Sequence, residues 1–288
     1  MVQKATQLMP LSPYAAFLIR NASEKVLVIS DLHIGWEVAL AQEGVHVPSQ
    51  TPRLLEKLRN IVGSEKFERL LILGDVKHTV AKIEHEEWRD VPWFLEEATR
   101  IVRKVQVVPG NHDGDIKALL PETVETLSPR GTIIGDVGLF HGHTWPDVGL
   151  LGCRTLVVGH VHPVVVFKDP MGFRITRQVW LRAPCNGELL AKFVLRRSGV
   201  KLGKKQPREV LRDKYDIDLR AESLVIMPAF NDFLGGQAIN RSSISRRRRF
   251  REFIGPVLRS GSINFEKAET YLLDGTFLGS LDRLMSLS

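Results

Sequence analysis

The sequence predicts an α/β fold, and three observations favour it. The chain has 288 residues, of which 43% are hydrophobic and 25% charged, a composition typical of a globular protein that buries a sizeable core. Its first half alternates short apolar runs with amphipathic stretches, as strands alternate with helices. Four apolar runs stop abruptly at polar residues, which are Asp31, Asp75, Asn111 and His160. Sites in α/β sheets gather at the carboxyl ends of strands, so this pattern indicates a functional edge.

The first half contains two predicted helices. Leucine and isoleucine recur at helical spacing over Pro52–Val62, and Gly63-Ser64 then gives a stop signal. A longer amphipathic stretch predicts a helix over Trp88–Lys104. Short apolar runs predict strands at Tyr14–Arg20, Lys25–Ser30, Arg69–Leu73 and Val105–Val108.

The second half is more strand-like. Its predicted strands are Ile133–Ile134, Leu139–Phe140, Thr155–Val158, Val164–Phe167, Phe173–Leu181, Leu189–Leu195 and Leu224–Met227. A charged stretch, Arg196–Arg220, interrupts them. We expect one domain over residues 1–240 and a basic C-terminal extension over residues 241–288 that packs on the same domain.

Several classes of protein are disfavoured. No stretch approaches the roughly 18 uninterrupted apolar residues of a membrane span, and Met1–Pro10 lacks the layout of a secretory signal. We therefore expect a soluble, cytoplasmic protein without a membrane partner. Cys153 and Cys185 have no CxxC spacing, which predicts two reduced, buried thiols.

Five short motifs carry candidate chemistry. They are, in chain order, Asp31-Leu32-His33, Gly74-Asp75, Gly110-Asn111-His112-Asp113, His141-Gly142-His143 and Gly159-His160-Val161-His162. Together they supply carboxylate, imidazole and amide ligands suited to manganese, iron, zinc or similar ions. Two residues at i and i+2 of an extended segment point to the same side, so each such pair can converge on one cluster. Any single motif is equally compatible with a turn or a cap, but five at strand ends favour a shared metal site.

This ordered set resembles that of the calcineurin-like metallophosphoesterases. The resemblance implies a four-layer α/β/β/α sandwich of two mixed sheets, with a binuclear metal centre at the strand ends. It implies that a hydroxide shared by two divalent ions cleaves a phosphate ester, since two cations make water nucleophilic near neutral pH. It also implies a set of ligands: Asp31, His33 and His162 for one metal, Asn111, His141 and His160 for the other, and Asp75 bridging both.

The resemblance gives His112 the role of catalytic proton donor to the leaving oxygen. Many family members place an acidic residue three positions after the bridging aspartate, where it orients this histidine, but the present sequence has His78 there. Either another acid such as Asp113 compensates, or His112 is not the principal acid and His78 contacts the substrate instead. His78 and His143 are therefore candidate substrate-binding residues, and a polar loop is the alternative for His78.

The motifs around Asp75 and His141, with Pro228-Ala229-Phe230-Asn231, resemble a branch called ICC-like phosphoesterases, which is similar to DNA-ligase-associated and helicase-associated enzymes. That branch implies manganese-dependent phosphodiesterase or nuclease activity on DNA, with a repair helicase or ligase as partner. Manganese is the favoured metal, and iron, zinc and nickel are alternatives.

A net charge of +7 favours a polyanionic partner, which we expect to be nucleic acid. The run Arg246, Arg247, Arg248 and Arg249 is a candidate for backbone contacts, although a solvated basic face is an equal alternative. Two other functions stay open. One is hydrolysis of small phosphoesters or cyclic nucleotides, and the other is a noncatalytic interaction module with the same fold.

Overall fold

The computed structural model describes residues 6–169, 171–241 and 254–286. The chain divides into two compact units. Unit 1 comprises Met1–Pro129 and Ala229–Leu234, and unit 2 comprises Arg130–Pro228 and Gly235–Ser288. The segment Ala229–Leu234 thus belongs to the first unit although it lies late in the sequence.

Unit 1 is built on a mixed sheet that has six strands in the described residues, in the order β1-β2-β3-β4-β5-β6. The first three strands pair antiparallel, and β3 to β6 are mutually parallel neighbours. The strands are β1 (Gln7–Pro10), β2 (Phe17–Arg20), β3 (Lys25–Ile29), β4 (Arg69–Leu73), β5 (Lys104–Val108) and β6 (Val124–Thr126).

In the described residues of unit 1, three α-helices accompany this sheet: α1 (Trp36–Gln42), α2 (Thr51–Ser64) and α3 (His85–Ile101). Leu54, Leu55 and Leu58 of α2 and Phe94 of α3 belong to the same buried core as the strand residues of β3 and β4. The helix predicted at Trp88 begins three residues earlier, because Glu84 and Glu87 form a capping box there. It ends at Ile101, ahead of β5.

The late segment Ala229–Leu234 is tied into unit 1 by hydrogen bonds. The Phe230 N–H donates to the Ser30 carbonyl (2.8 Å), and Lys57 Nζ donates to the Phe230 carbonyl (2.7 Å). Burial lowers the pKa of Lys57, partly offset by the nearby Asp232. The buried Asn231 amide donates to the Leu32 carbonyl (3.0 Å). This segment therefore braces the loop that follows β3.

Unit 2 contains a second mixed sheet, with nine strands in the described residues. Its main path runs β13-β10-β11-β12-β9-β8-β7, and β14 and β15 extend it beside β11. The strands are β7 (Thr132–Ile134), β8 (Val137–Leu139), β9 (Thr155–Val158), β10 (Pro163–Lys168), β11 (Arg174–Pro184), β12 (Ser223–Ile226), β13 (Gln237–Ala238), β14 (Glu269–Leu272) and β15 (Phe277–Ser280).

The described part of unit 2 contains four α-helices: α4 (Gly187–Arg197), α5 (Pro207–Tyr215), α6 (Pro256–Arg259) and α7 (Leu281–Ser286). The strand predicted at Leu189–Leu195 is wrong, because this run lies within α4. The Asn186 side chain caps the helix by accepting from the Leu189 N–H (3.0 Å), and Leu190, Ala191, Val194 and Leu195 form its buried stripe.

The end of the described chain contributes to the core of unit 2. Val257, Leu258, Phe265 and Leu281 are buried in the same cluster as the residues of α4, and β14 pairs with β11. The predicted division into residues 1–240 and 241–288 stays a prediction.

The predicted fold class is confirmed, since the chain is α/β with two mixed sheets and accompanying helices. Cys153 and Cys185 form no disulfide; Cys153 is buried as predicted, whereas Cys185 is only half-buried. Burial raises the pKa of Cys153 to about 11 and that of Cys185 to about 12. Within the described ranges, none of the helices has the length and apolar character needed to cross a membrane.

The assignment of α4 gives a stability prediction. Leu190→Ala empties a fully buried position and is expected to lower the free energy of unfolding by about 2–5 kcal/mol. Leu189→Ala, at the half-buried neighbouring position, is the matched control and should cost clearly less. Urea unfolding followed by circular dichroism measures both, and equal losses would contradict the helical face assigned here.

Candidate metal centre

In unit 1 the predicted ligands lie just beyond three neighbouring parallel strands. Asp31 follows β3, Asp75 follows β4 and Asn111 follows β5. The backbone ladder continues past the strands, because the Asp31 N–H donates to the Gly74 carbonyl (3.0 Å) and the His33 N–H to the Asp75 carbonyl (2.9 Å). The structure therefore brings these three strand ends to one edge of the sheet, as the sequence predicted.

The backbone at the predicted ligands is unusual. Seven non-glycine residues of the described chain have φ in the left-handed region, and five of them are predicted metal ligands. The five are Asp31 (58°), His33 (44°), Asp75 (51°), His160 (70°) and His162 (49°). A left-handed non-glycine residue costs on the order of 1–3 kcal/mol, and such strain concentrates at functional sites. This conformation marks the loops of unit 1 as specialised, and it separately marks the loop of unit 2.

Asp75 is a predicted ligand of unit 1 that is tightly constrained. It is buried, and its Oδ2 lies 3.4 Å from His33 Nε2, while its Oδ1 accepts from the His112 N–H (2.9 Å). A Cβ added at Gly110 would lie 2.1 Å from Asp75 Oδ1, so only glycine permits this approach. The glycine of the Gly110-Asn111 motif is thus required by the position of the aspartate.

Three histidines of unit 1 form a compact group. His33, His78 and His112 each offer a ring nitrogen, and these nitrogens lie within 4.8 Å of one another. The Nδ1 atoms of His33 and His78 are 3.3 Å apart. Burial and the neighbouring His112 lower the pKa of His78, which keeps its imidazole neutral near pH 7. Neutral imidazole nitrogens at this spacing can hold a divalent cation.

The structure supplies an orienting group for His112 that the sequence did not suggest. Its Nδ1 contacts the backbone carbonyl of His78. A carbonyl can only accept, so this contact assigns the proton to Nδ1 and leaves Nε2 for chemistry. The Asp113 carboxylate fixes the backbone around it, because it accepts hydrogen bonds from the N–H groups of Gly110 (2.7 Å), Val76 (2.8 Å) and Lys77 (3.3 Å).

Glu87 is a supporting residue that sequence reasoning missed. It is fully buried, and its carboxylate accepts from the N–H groups of His78 (3.0 Å), Thr79 (2.6 Å) and Glu84 (2.9 Å). It therefore fixes the loop whose His78 carbonyl contacts His112. The available signal was the capping box of α3, which places an acid in the first helical turn.

In unit 2 the predicted ligands follow two parallel neighbours, β8 and β9. The His141 carbonyl accepts from the Gly159 N–H (3.0 Å), and the His141 and His160 rings are 4.9 Å apart. His143 lies beside them, with its ring centroid 5.4 Å from that of His141 and 6.3 Å from that of His160. The Gln237 N–H donates to the His162 carbonyl (3.0 Å), which braces the end of the loop.

The predicted substrate-binding run Arg246, Arg247, Arg248 and Arg249 lies outside the described residues. Its role stays a prediction.

The family model for calcineurin-like phosphoesterases matches residues 24–219 of this chain. That match covers most of the sequence and contains every predicted metal ligand. The chain therefore belongs to the calcineurin-like phosphoesterase family, whose members are metal-dependent hydrolases of phosphate esters.

Two solved structures are similar to this chain. One is the nuclease MPE of Pseudomonas putida, at 20% identity and a TM-score of 0.48, with 93% of this chain and 97% of that chain covered. The other is YfcE, a phosphoesterase from E. coli, at 20% identity and a TM-score of 0.32, with 50% of this chain and 73% of that chain covered. No curated protein matches the sequence.

The role of Glu87 can be tested with a change that keeps its size. In Glu87→Gln, the side-chain NH₂ replaces a carboxylate oxygen and cannot accept from a backbone N–H, so one buried N–H loses its partner. The free energy of unfolding is expected to fall by about 1–3 kcal/mol. It should also lower kcat for a phosphodiester more than it raises KM, because the His78 carbonyl is less well held. Urea unfolding and steady-state kinetics measure the two effects.

Glu86→Gln is the matched control on the same turn of α3. An unchanged kcat in Glu87→Gln, with stability lost as predicted, would show that Glu87 supports the fold without positioning His112.

Proposed function

We propose that this protein is a phosphodiesterase that uses two divalent metal ions, with manganese favoured, to cleave DNA. The observation that carries the proposal is the left-handed backbone at Asp31, His33, Asp75, His160 and His162. Strained backbone at these five residues would only destabilise a fold that has no functional site. Loops that must direct several metal ligands can require such a conformation.

The side chains fit divalent cations. Asp31, Asp75 and His141 are buried, and the set combines carboxylate, imidazole and amide groups, which suits manganese, iron or zinc better than calcium. The ligand assignment implied by the family resemblance is part of the proposal, with His33 and Asn111 serving different metals and Asp75 serving both. When bound, the ions would activate water and balance the charge of the phosphate.

His112 is proposed to protonate the leaving oxygen. Because the Nδ1–H is engaged by the His78 carbonyl, the proton that is transferred must be carried on Nε2, so the donor is the doubly protonated ring, which keeps its Nδ1 proton afterwards. Nε2 lies 4.0 Å from Asp75 Oδ2. General acid catalysis of this kind is worth roughly 10²–10⁴ in rate. His78 and His143, both half-buried beside the predicted ligands, are proposed to contact the substrate.

The choice of DNA over a small phosphoester is supported by two features. One is the resemblance to phosphodiesterases associated with ligases and helicases. The other is the net charge of +7, which favours a polyanion by attracting phosphates and steering their approach.

Asp75→Asn tests the metal and the reaction together. It is expected to abolish Mn²⁺-dependent hydrolysis of bis-p-nitrophenyl phosphate and of a labelled single-stranded DNA, because an amide binds divalent cations weakly at a bridging position. Stripping the metal from the unchanged protein should have the same effect, reversed by adding Mn²⁺. Asp213→Asn, at an exposed carboxylate, is the matched control and should keep full activity.

Each alternative has its own outcome. Hydrolysis of p-nitrophenyl phosphate without cleavage of the diester or DNA would support a small-molecule phosphatase. Full activity of Asp75→Asn would overturn the proposed centre, and no hydrolysis with any divalent metal would favour a noncatalytic module.

A further inference from the structure

A β-ribbon projects from the sheet of unit 2. Strands β10 and β11 pair antiparallel, and Val164 and Val165 at the base of the pair are buried. From Phe167 outward the burial ends, since Lys168 and every residue from Met171 to Arg177 are exposed. We call residues 167–169 and 171–177 the ribbon.

The tip of the ribbon is built to keep its shape. The Asp169 N–H donates to the Phe173 carbonyl (3.0 Å), and the Asp169 side chain accepts from the Phe173 N–H (2.8 Å). The exposed hydrophobic side chains therefore sit on a hydrogen-bonded hairpin. Burying apolar surface is favourable, so four exposed apolar side chains on one short element indicate a binding surface. They are Phe167 (38% exposed), Met171 (82%), Phe173 (65%) and Ile175 (44%).

The pairing register separates two faces. Phe167 lies opposite Ile175, and Arg177, two residues further along the strand, is on the same face. Lys168 lies opposite Arg174 on the other face. One face thus combines an aromatic ring with a guanidinium group, and the other carries two cations.

Among the residues that the structure describes, no acidic side chain pairs with the cations of the ribbon. Lys168, Arg174 and Arg177 form no ion pair with any residue that the structure describes, and Asp169 at the turn is the one acid of the ribbon as defined. Like charges directly opposite one another weaken a strand pair. An anion bound between Lys168 and Arg174 would remove this repulsion.

We propose that the ribbon binds single-stranded nucleic acid, with a base stacked on Phe167 and phosphates held by Arg177, Lys168 and Arg174. Exposed aromatic rings interleaved with cations are the usual means of gripping a single strand, and only unpaired bases offer a π-face for stacking. The excess of positive charge on the ribbon disfavours a cationic partner and fits a polyanion. The proposal deepens the proposed function, on which it rests for the identity of the substrate.

The ribbon is also connected to the predicted metal ligands. Strand β10 begins at Pro163, immediately after His162. At about 3.3 Å per residue, Phe167 lies roughly 17 Å along the strand from His162. A strand held on the ribbon would extend over a few nucleotides toward the ligands of unit 2.

The test is binding of fluorescein-labelled oligothymidylate, roughly 20 nucleotides long so that it exceeds one binding site, to metal-free protein, measured by anisotropy. The triple variant Lys168→Gln, Arg174→Gln and Arg177→Gln should weaken binding at least about tenfold. It should also reduce the slope of log Kd against log salt by about two, because each single-strand phosphate contact contributes roughly 0.7. Exposed unit 1 arginines supply a control with the same change in net charge: Arg59→Gln, Arg100→Gln and Arg103→Gln.

Stacking is tested separately. Phe167→Ala should weaken binding of the single strand about tenfold and leave binding of a duplex unchanged. Phe277→Ala, at another exposed phenylalanine of unit 2, is the control. Equal losses on single strand and duplex would overturn the stacking role, and a triple variant that binds like its control would overturn the proposal.

Hydrolysis of bis-p-nitrophenyl phosphate by the unchanged protein separates this proposal from the proposed function. Single-strand binding that depends on the ribbon, without hydrolysis of the diester, would sink the enzymatic role and leave the ribbon intact. If the protein hydrolyses the diester but its DNA binding is unaffected by the ribbon variants, the proposed function would stand and the role of the ribbon would be overturned.

Discussion

The structure depends on the way in which the parallel strands of unit 1 end. After each strand the chain must turn within about two residues and still direct a polar side chain to the edge of the sheet. Left-handed backbone at Asp31, His33 and Asp75 permits this turn, but it introduces strain. Hydrogen bonds between neighbouring loops hold that conformation, since the ladder of β3 and β4 continues from Asp31 to the Ile34 N–H, which donates to Val76 (2.9 Å). Packing beneath the loops and hydrogen bonds between them therefore stabilise a strained backbone conformation that an isolated loop would not keep.

Buried carboxylates are the second means of support. Asp113 and Glu87 both accept hydrogen bonds from backbone N–H groups. A buried N–H without a partner is costly, so an acid that accepts two or three of them fixes the loop firmly. This arrangement explains how His112 is oriented without the acid found at the position of His78 in many relatives. The carbonyl of a loop held by Glu87 takes that role.

Unit 2 uses one long strand for two purposes. The last residues of β11 pair with β12 and β14 inside the core, whereas its first residues pair with β10 and are exposed. A strand anchored at one end can present its other end to a partner without a flexible loop. The predicted ligands His160 and His162 precede β10, so the same hairpin connects them with an exposed basic and aromatic surface.

The sequence by itself determined the α/β class and most of the strands, and it placed the candidate ligands at strand ends. These properties are local: apolar runs mark the strands, and a polar residue after such a run lies at a strand end. The run at Leu189–Leu195 was assigned wrongly because a short apolar run suits either a buried strand or a helix, and Asn186 as the cap decided it. Only the tertiary structure placed Ala229–Leu234 in unit 1, put Glu87 under the His78 loop and exposed the ribbon. Those features depend on contacts between residues far apart in the chain, which no local pattern specifies.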